Sequence, residues 1–131
     1  MIWCVEDDSS IRDVEVYTLR STGFEARGFA DGTAFWSAIG TAQELPELVV
    51  LDVMLPGVDG VELLRRLRAA PATRSIPVVM ATARGAEYDK IQALDLGADY
   101  YLTKFTSSNI CAVFPLLKSE IGISLSAKLR I

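Results

Sequence analysis

The sequence predicts an α/β domain built on a parallel sheet, and three observations carry that expectation. Five short apolar runs recur along the 131 residues, each bounded by polar or turn-forming residues. Helix-forming segments follow the runs, so a β-α alternation repeats five times over with short links. The third run, Leu48-Val49-Val50-Leu51, is apolar without a break and β-branched at its centre. That is the pattern of a strand buried on both faces, which requires helices on both sides of the sheet.

Taken in order, Ile2-Trp3-Cys4-Val5 is the first strand candidate and it ends in acid at Glu6-Asp7-Asp8. Asp8, Ser9 and Ser10 are good N-cap residues for the helix that follows. In it Ile11, Val14 and Leu19 are loosely periodic, and Gly23 is a C-terminal stop. Phe24 to Phe29 is a less apolar strand, as expected nearer a sheet edge. Asp31-Gly32 opens a second helix through Ala34, Phe35, Ala38 and Ile39 to Gly40, and Glu44-Leu45-Pro46-Glu47 links it to the central strand. That strand delivers Asp52 at its C-terminal end and is followed by turns at Pro56-Gly57 and Asp59-Gly60. Val61, Leu64 and Leu67 share one face of a third helix with the arginines mostly opposite, and Pro71 lies beyond it. Ile76 to Thr82 is a fourth strand, with Pro77 near its start, where a missing N–H is tolerable. Glu87 to Leu96 is a helix closed by Gly97, and Tyr100 to Thr103 a fifth strand that ends at Lys104. No internal repeat or low-complexity linker interrupts the series.

Composition narrows the function. Half of the residues are hydrophobic and 23% are charged, ordinary for one soluble globular domain. No apolar run approaches the roughly 18 residues that suggest a membrane span. Met1 to Val5 has no basic segment and meets acid at once, so no signal peptide is expected. A cytoplasmic location follows, with Cys4 and Cys111 as buried free thiols. The net charge of −4 argues against direct contact with nucleic acid. There is no histidine, which removes Ser-His-Asp and Cys-His hydrolases, HExxH metal sites and imidazole acid-base chemistry together. Chemistry must come from carboxylates, Lys, Thr, Ser, Tyr or a bound metal.

A parallel sheet brings the strand C-termini to one edge, where ligands of open α/β sheets bind. Glu6, Asp7, Asp52, Thr82 and Lys104 all fall there. Alone, Asp52 reads as a nucleophile, a metal ligand or a helix cap. Three crowded carboxylates need a positive partner, and a hard divalent cation such as Mg²⁺, taking oxygen ligands, meets that need. The metal and Lys104 would draw in a phosphoryl group, and the Thr82 hydroxyl would donate to one of its oxygens. Asp52 is then the nucleophile that forms an aspartyl phosphate. Positioning and charge neutralisation would be the protein's share.

Val5-Glu6-Asp7-Asp8, Leu51-Asp52-Val53-Met54-Leu55-Pro56-Gly57-Val58-Asp59-Gly60, Ala81-Thr82-Ala83-Arg84 and Gly97-Ala98-Asp99-Tyr100-Tyr101-Leu102-Thr103-Lys104 stand in this order over residues 2 to 104. With these motifs the chain resembles the receiver domain of a two-component response regulator, most of all those regulators that carry a C-terminal winged-helix DNA-binding domain. The resemblance implies a flavodoxin-like (βα)5 three-layer sandwich with sheet order 2-1-3-4-5. It implies a bacterial signalling phosphoacceptor rather than an enzyme, taking its phosphoryl group onto Asp52 from a sensor histidine kinase to control an output such as transcription. Asp7, Asp52 and the backbone carbonyl of Met54 would bind Mg²⁺, with Glu6 acting through water. Lys104 would contact the phosphoryl group, Thr82 would move to bond it, and Tyr101 would turn inward into the vacated space, a two-state switch.

Departures from the family pattern begin after Lys104. The family has proline there, with a cis bond, whereas this chain has Phe105. A cis bond before a non-proline residue costs roughly 2.5–4 kcal/mol, so a trans bond and a rearranged loop are expected. Ile110, Val113, Phe114 and Leu117 keep a helical stripe that Pro115 should kink or break. Ile123, Leu125, Ala127, Leu129 and Ile131 then alternate with polar residues, a strand-like period. The expectation is a receiver domain over 1–121 and an atypical tail over 122–131, either an extra strand or disordered. A homodimer could form through the last helices or that strand. A divergent or frame-altered ending, or a removed effector domain, would account for the tail. Three other readings compete. A degenerate receiver would bind partners without phosphorylation. Asp31-Gly32-Thr33 superficially resembles a motif of haloacid-dehalogenase-like phosphatases, but Phe29 stands at the nucleophile position. A nucleotide or flavin module would be repelled by Glu6-Asp7-Asp8.

Overall fold

The computed structural model describes residues 1–82 and 95–103, with the backbone alone for 82 and 100–103. In chain order the elements are β1 (Ile2–Val5), α1 (Ser9–Ser21), β2 (Ala26–Phe29), α2 (Gly32–Thr41), β3 (Leu48–Asp52), α3 (Gly60–Ala69), β4 (Val78–Thr82) and β5 (Tyr100–Thr103). The strands form one parallel sheet in the order β2-β1-β3-β4-β5, the order the resemblance implies. β2 lies at an edge, as its weaker apolar character led one to expect.

Alternation along the strands sorts the core into two layers. Trp3, Val5, Val49, Leu51, Val78 and Met80 pack on the α2 and α3 side, where Leu63, Leu64 and Leu67 of α3 are fully buried. Each of those leucines contributes about 1.5–3 kcal/mol by burial. Trp3, Phe29 and Phe35 meet there with ring centroids 5.0 to 6.0 Å apart, Phe35 edge-on to the other two. Ile2, Cys4, Leu48 and Val79 face the other way, against Leu19 of α1.

Aspartate starts every described helix. Asp8 accepts from the Ser10 and Ile11 N–H groups, Asp31 from Ala34 and Asp59 from Glu62. A cap of this kind contributes about 1 kcal/mol. At the far end of α1, Gly23 has φ 99° and donates to the Arg20 carbonyl, while Phe24 donates to Leu19. This is a Schellman cap with its apolar contact, since Phe24 and Leu19 pack in the same cluster. It explains why β2 begins at Ala26 instead of Phe24: the Phe24 N–H belongs to the helix. β4 begins at Val78 because Pro77 has no N–H and Val78 gives its own to Asp99 Oδ2 at 2.7 Å.

One expected face is corrected. Val14 is 42% exposed, and the inward residues of α1 are Glu15, Thr18 and Leu19. Most of the helix expected over 87–96, the Lys104–Phe105 bond, the last helix and the 122–131 tail lie outside the described residues. Among the described residues no helix is long and apolar enough to cross a membrane.

Candidate functional site

The parallel register carries two acidic strand ends to the same level. Val5 pairs with Leu51, so Glu6 follows β1 just where Asp52 closes β3, and Asp52 stands opposite Ala81 on its other side. Glu6 is 1% exposed and is fixed through its backbone: its N–H donates to the Phe29 carbonyl at 3.0 Å, and its carbonyl accepts from Arg12 Nη1 at 2.8 Å. Its Oε2 accepts the Asp8 N–H at 3.1 Å. Asp7 is exposed, so the cluster opens to solvent on that side. Carboxylate oxygens of Glu6, Asp7 and Asp52 lie within 4.8 Å of one another.

Asp52 is 7% exposed, and its Oδ1 accepts the Met54 N–H at 3.2 Å. Burial is the main cause that pushes its carboxyl up from 3.8 to about 6, and the charge and hydrogen-bonding carboxyl of Asp7 push the same way. The Met54 and Val53 N–H groups oppose them. The start of α3 presses on this strand end. A Cβ at Gly60 would stand 1.9 Å from the Asp52 carbonyl oxygen, and the Gly60 N–H donates to the Val53 carbonyl at 3.1 Å. Gly57 supplies the positive φ of 72° in the turn between them, as glycine after proline does in a type II turn.

Of the residues singled out in the sequence, Glu6, Asp7 and Asp52 are brought together, with the Met54 backbone against Asp52 and its side chain 63% exposed. The backbone of Thr82 ends β4 one residue past Ala81, at the same sheet edge. Tyr101 pairs with Met80 within β5. Nothing more is described of these two side chains, and Lys104 lies outside the described residues. Arg12 and Glu15 escaped the sequence reading, and Gly60 is legible there only as a turn residue. Arg12 reaches the Glu6 carbonyl across Gly28, where a Cβ would come within 2.9 Å of its side chain. Glu15 is 2% exposed, and its carboxyl is pushed up to about 8, first by burial and then by Asp52, with Arg12 pulling against them.

An array of hard oxygen donors around a buried carboxylate is suited to a small divalent cation and to phosphoryl chemistry. Comparison with known proteins agrees with that chemistry. Residues 2–113 match the family described as response regulator receiver domain. The phosphate regulon transcriptional regulatory protein PhoB of Rhizobium meliloti is 42% identical over 128 residues, covering 96% of this chain and 56% of PhoB. The chain spans about half the length of the curated relatives it matches. Among solved structures, the Francisella response regulator 1452 receiver domain is similar with a TM-score of 0.80 at 26% identity, covering 92% of this chain and 98% of that one. A Mn(2+)-bound form of response regulator Rcp1 gives 0.74 at 28% identity, covering 90% and 88%. Sequence motifs, sheet order and acidic cluster thus converge, and the chain belongs to the response regulator receiver domain family.

Proposed function

We propose that this chain is the phosphoacceptor of a two-component system, with Asp52 taking the phosphoryl group of a phosphohistidine on a sensor histidine kinase. The observation that carries this reading is the meeting of Glu6, Asp7 and Asp52 at the C-terminal edge of the sheet. An Asp52 oxygen attacks phosphorus, the P–N bond breaks, and the imidazole nitrogen keeps the electron pair and takes up a proton. The fold's share is orientation: the Met54 N–H holds Oδ1, and the approach of Gly60 holds the strand end.

The donor set suits Mg²⁺, because every candidate ligand is an oxygen and the crowding that raises the Asp52 carboxyl is relieved by positive charge. Asp7, Asp52 and the Met54 carbonyl would hold the ion, with Glu6 acting through water. When bound, it would neutralise the acids and the phosphoryl oxygens. The similar Rcp1 has a structure with Mn(2+) bound, which supports a cation in this family. Lys104 is assigned to the phosphoryl group, and Thr82 and Tyr101 to the switch. The protein acts as a signalling phosphoacceptor and not as a turnover enzyme, in the cytoplasm, over residues 1–121.

The test is intact mass after incubation with Mg²⁺ and acetyl phosphate, beside Asp52→Asn. A phosphoryl adduct in the unmutated protein alone is the expected result. A folded protein that forms none in the presence of Mg²⁺ overturns the reading and leaves a phosphorylation-independent interaction module.

A further inference from the structure

Glu15 is a buried carboxyl that the chemistry above does not use. It lies on the inward face of α1 beside Thr18 and Leu19, only 2% exposed. Among the described residues, its Oε2 has no hydrogen-bond partner. Among the described residues, the ionisable groups that face it are Arg12 on its own helix, Cys4 on β1 and Asp52 on β3. Arg12 is already engaged, its Nη1 donating to the Glu6 carbonyl at 2.8 Å. An ionised Glu15 would therefore stand with an unpaired oxygen in the low-dielectric layer between α1 and the sheet, the face to which alternation along β3 turns Leu48, Val50 and then Asp52.

We propose that Glu15 is a positioning residue of the phosphoacceptor site, whose charge opposes each negative charge delivered to Asp52. A phosphoryl group on Asp52 and an ionised Glu15 then disfavour one another. The inference rests on Asp52 being the phosphoacceptor. Glu15 touches no reacting atom and acts through Asp52 alone. With its carboxyl pushed up to about 8, it keeps its proton at neutral pH and gives it up under mildly alkaline conditions. Added negative charge on Asp52 holds that proton more tightly. Linkage makes the effect reciprocal, so loss of the proton weakens the phosphorylated state by the same factor. A coupling of one pK unit is tenfold.

The experiment compares the whole 131-residue protein with Glu15→Gln and Glu15→Leu. Beryllofluoride, a reversible phosphoryl mimic, is titrated with Mg²⁺ present by calorimetry between about pH 7 and 9, either side of the Glu15 value. Affinity of the unmutated protein should fall about fivefold relative to Glu15→Gln across that interval, about half of the tenfold limit of a one-unit coupling. Glu15→Leu should track Glu15→Gln, and it serves alone if the amide does not fold. A purely structural Glu15 would alter melting without altering the pH slope. Parallel pH slopes in all three proteins, with the mimic bound, overturn the role of Glu15 and leave the phosphoacceptor standing. No binding of the mimic and no acetyl phosphate adduct in the unmutated protein overturn both.

Discussion

Gly60 offers the most direct test of how the acidic edge is built. It is the first residue of α3, and its ideal Cβ would lie 1.9 Å from the Asp52 carbonyl oxygen, 2.8 Å from the Asp52 carbonyl carbon and 3.0 Å from the Val53 Cα. All three are backbone atoms, so no rotamer change relieves the clash. Either the start of α3 or the end of β3 must move by more than an ångström. Gly60→Ala should therefore cost on the order of 3 kcal/mol, the upper part of the range for overpacking. Without this contact, the same change would be neutral or slightly favourable through helix propensity. A displacement of that size at Asp52 should also slow phosphorylation by about 100-fold. Two other glycines serve as internal standards, since a Cβ at Gly57 or Gly40 meets nothing within 4 Å. Gly57→Ala should cost about 1–2 kcal/mol, from its positive φ alone. Gly40→Ala, inside α2, should gain about 0.5 kcal/mol. Urea unfolding followed by far-UV circular dichroism ranks the three, and acetyl phosphate labelling reports on the site. A Gly60→Ala protein within about 0.5 kcal/mol of the parent, or more stable than Gly57→Ala, would refute the close approach.

The other predictions concern charge. Because the folded Asp52 carboxyl is raised from 3.8 to about 6, its contribution to stability is complete below the lower value and is lost as pH rises through the upper one. Mg²⁺ should then raise the melting temperature more at pH 8 than at pH 5, and Asp52→Asn should shrink that difference; equal shifts in every case would count against the site. Glu15, raised from 4.5 to about 8, withdraws stability over that wider window, so Glu15→Leu should gain on the order of 3 kcal/mol in urea unfolding at pH 8 and little at pH 5. An absent gain at pH 8 would show that the carboxyl is better solvated than its burial implies. Arg68 donates to the carbonyls of Gly97, Arg74 and Ile76 and pairs with Asp99 at 3.1 Å, tying the entries of β4 and β5 to α3. Arg68→Met should cost about 2 kcal/mol and speed hydrogen exchange at the Val78 N–H, and unchanged exchange there would remove Arg68 from that role.

What could be read in the sequence was what acts over short chain distances or follows from topology. The cap at Asp8 and the helix opening at Asp31 work on N–H groups two or three residues ahead, so the letters alone reveal them, while Asp59, legible as a turn residue, also caps α3. Glu6 and Asp7 are far in sequence from Asp52, but once the strands are parallel their ends must share an edge. Contacts through space left no such trace. Gly60 looked like an ordinary turn glycine, and its φ is not even positive; only the folded chain places it against the Asp52 carbonyl. Arg68 looked like one more solvated arginine of an amphipathic helix, and its carbonyl partners lie 6 to 29 residues away.

The misjudged face of α1 has a physical cause that bears on the site. A stripe can be read only when the inward residues are apolar, and here Val14 and Tyr17 are 42% and 73% exposed while Glu15 and Thr18 are buried. Leu19 is inward on either reading, but Val14 stands about 100° round the helix from Glu15, and it is Glu15 that turns inward. The helix tolerates this inversion because other contacts anchor it. Arg12 binds the Glu6 carbonyl near one end, and Arg20 binds the Ala26 carbonyl at 2.8 and 3.1 Å near the other. Asp8 and the Schellman turn at Gly23-Phe24 close the two termini, and Leu19 fills the core between the helix and the sheet. With orientation secured by those groups, position 15 is relieved of holding the helix to the sheet. It can carry an acid where an apolar side chain would be more stable, and that acid lies within electrostatic reach of Asp52. The residue that pattern reading passes over is therefore one whose charge is felt at Asp52 from behind the strand.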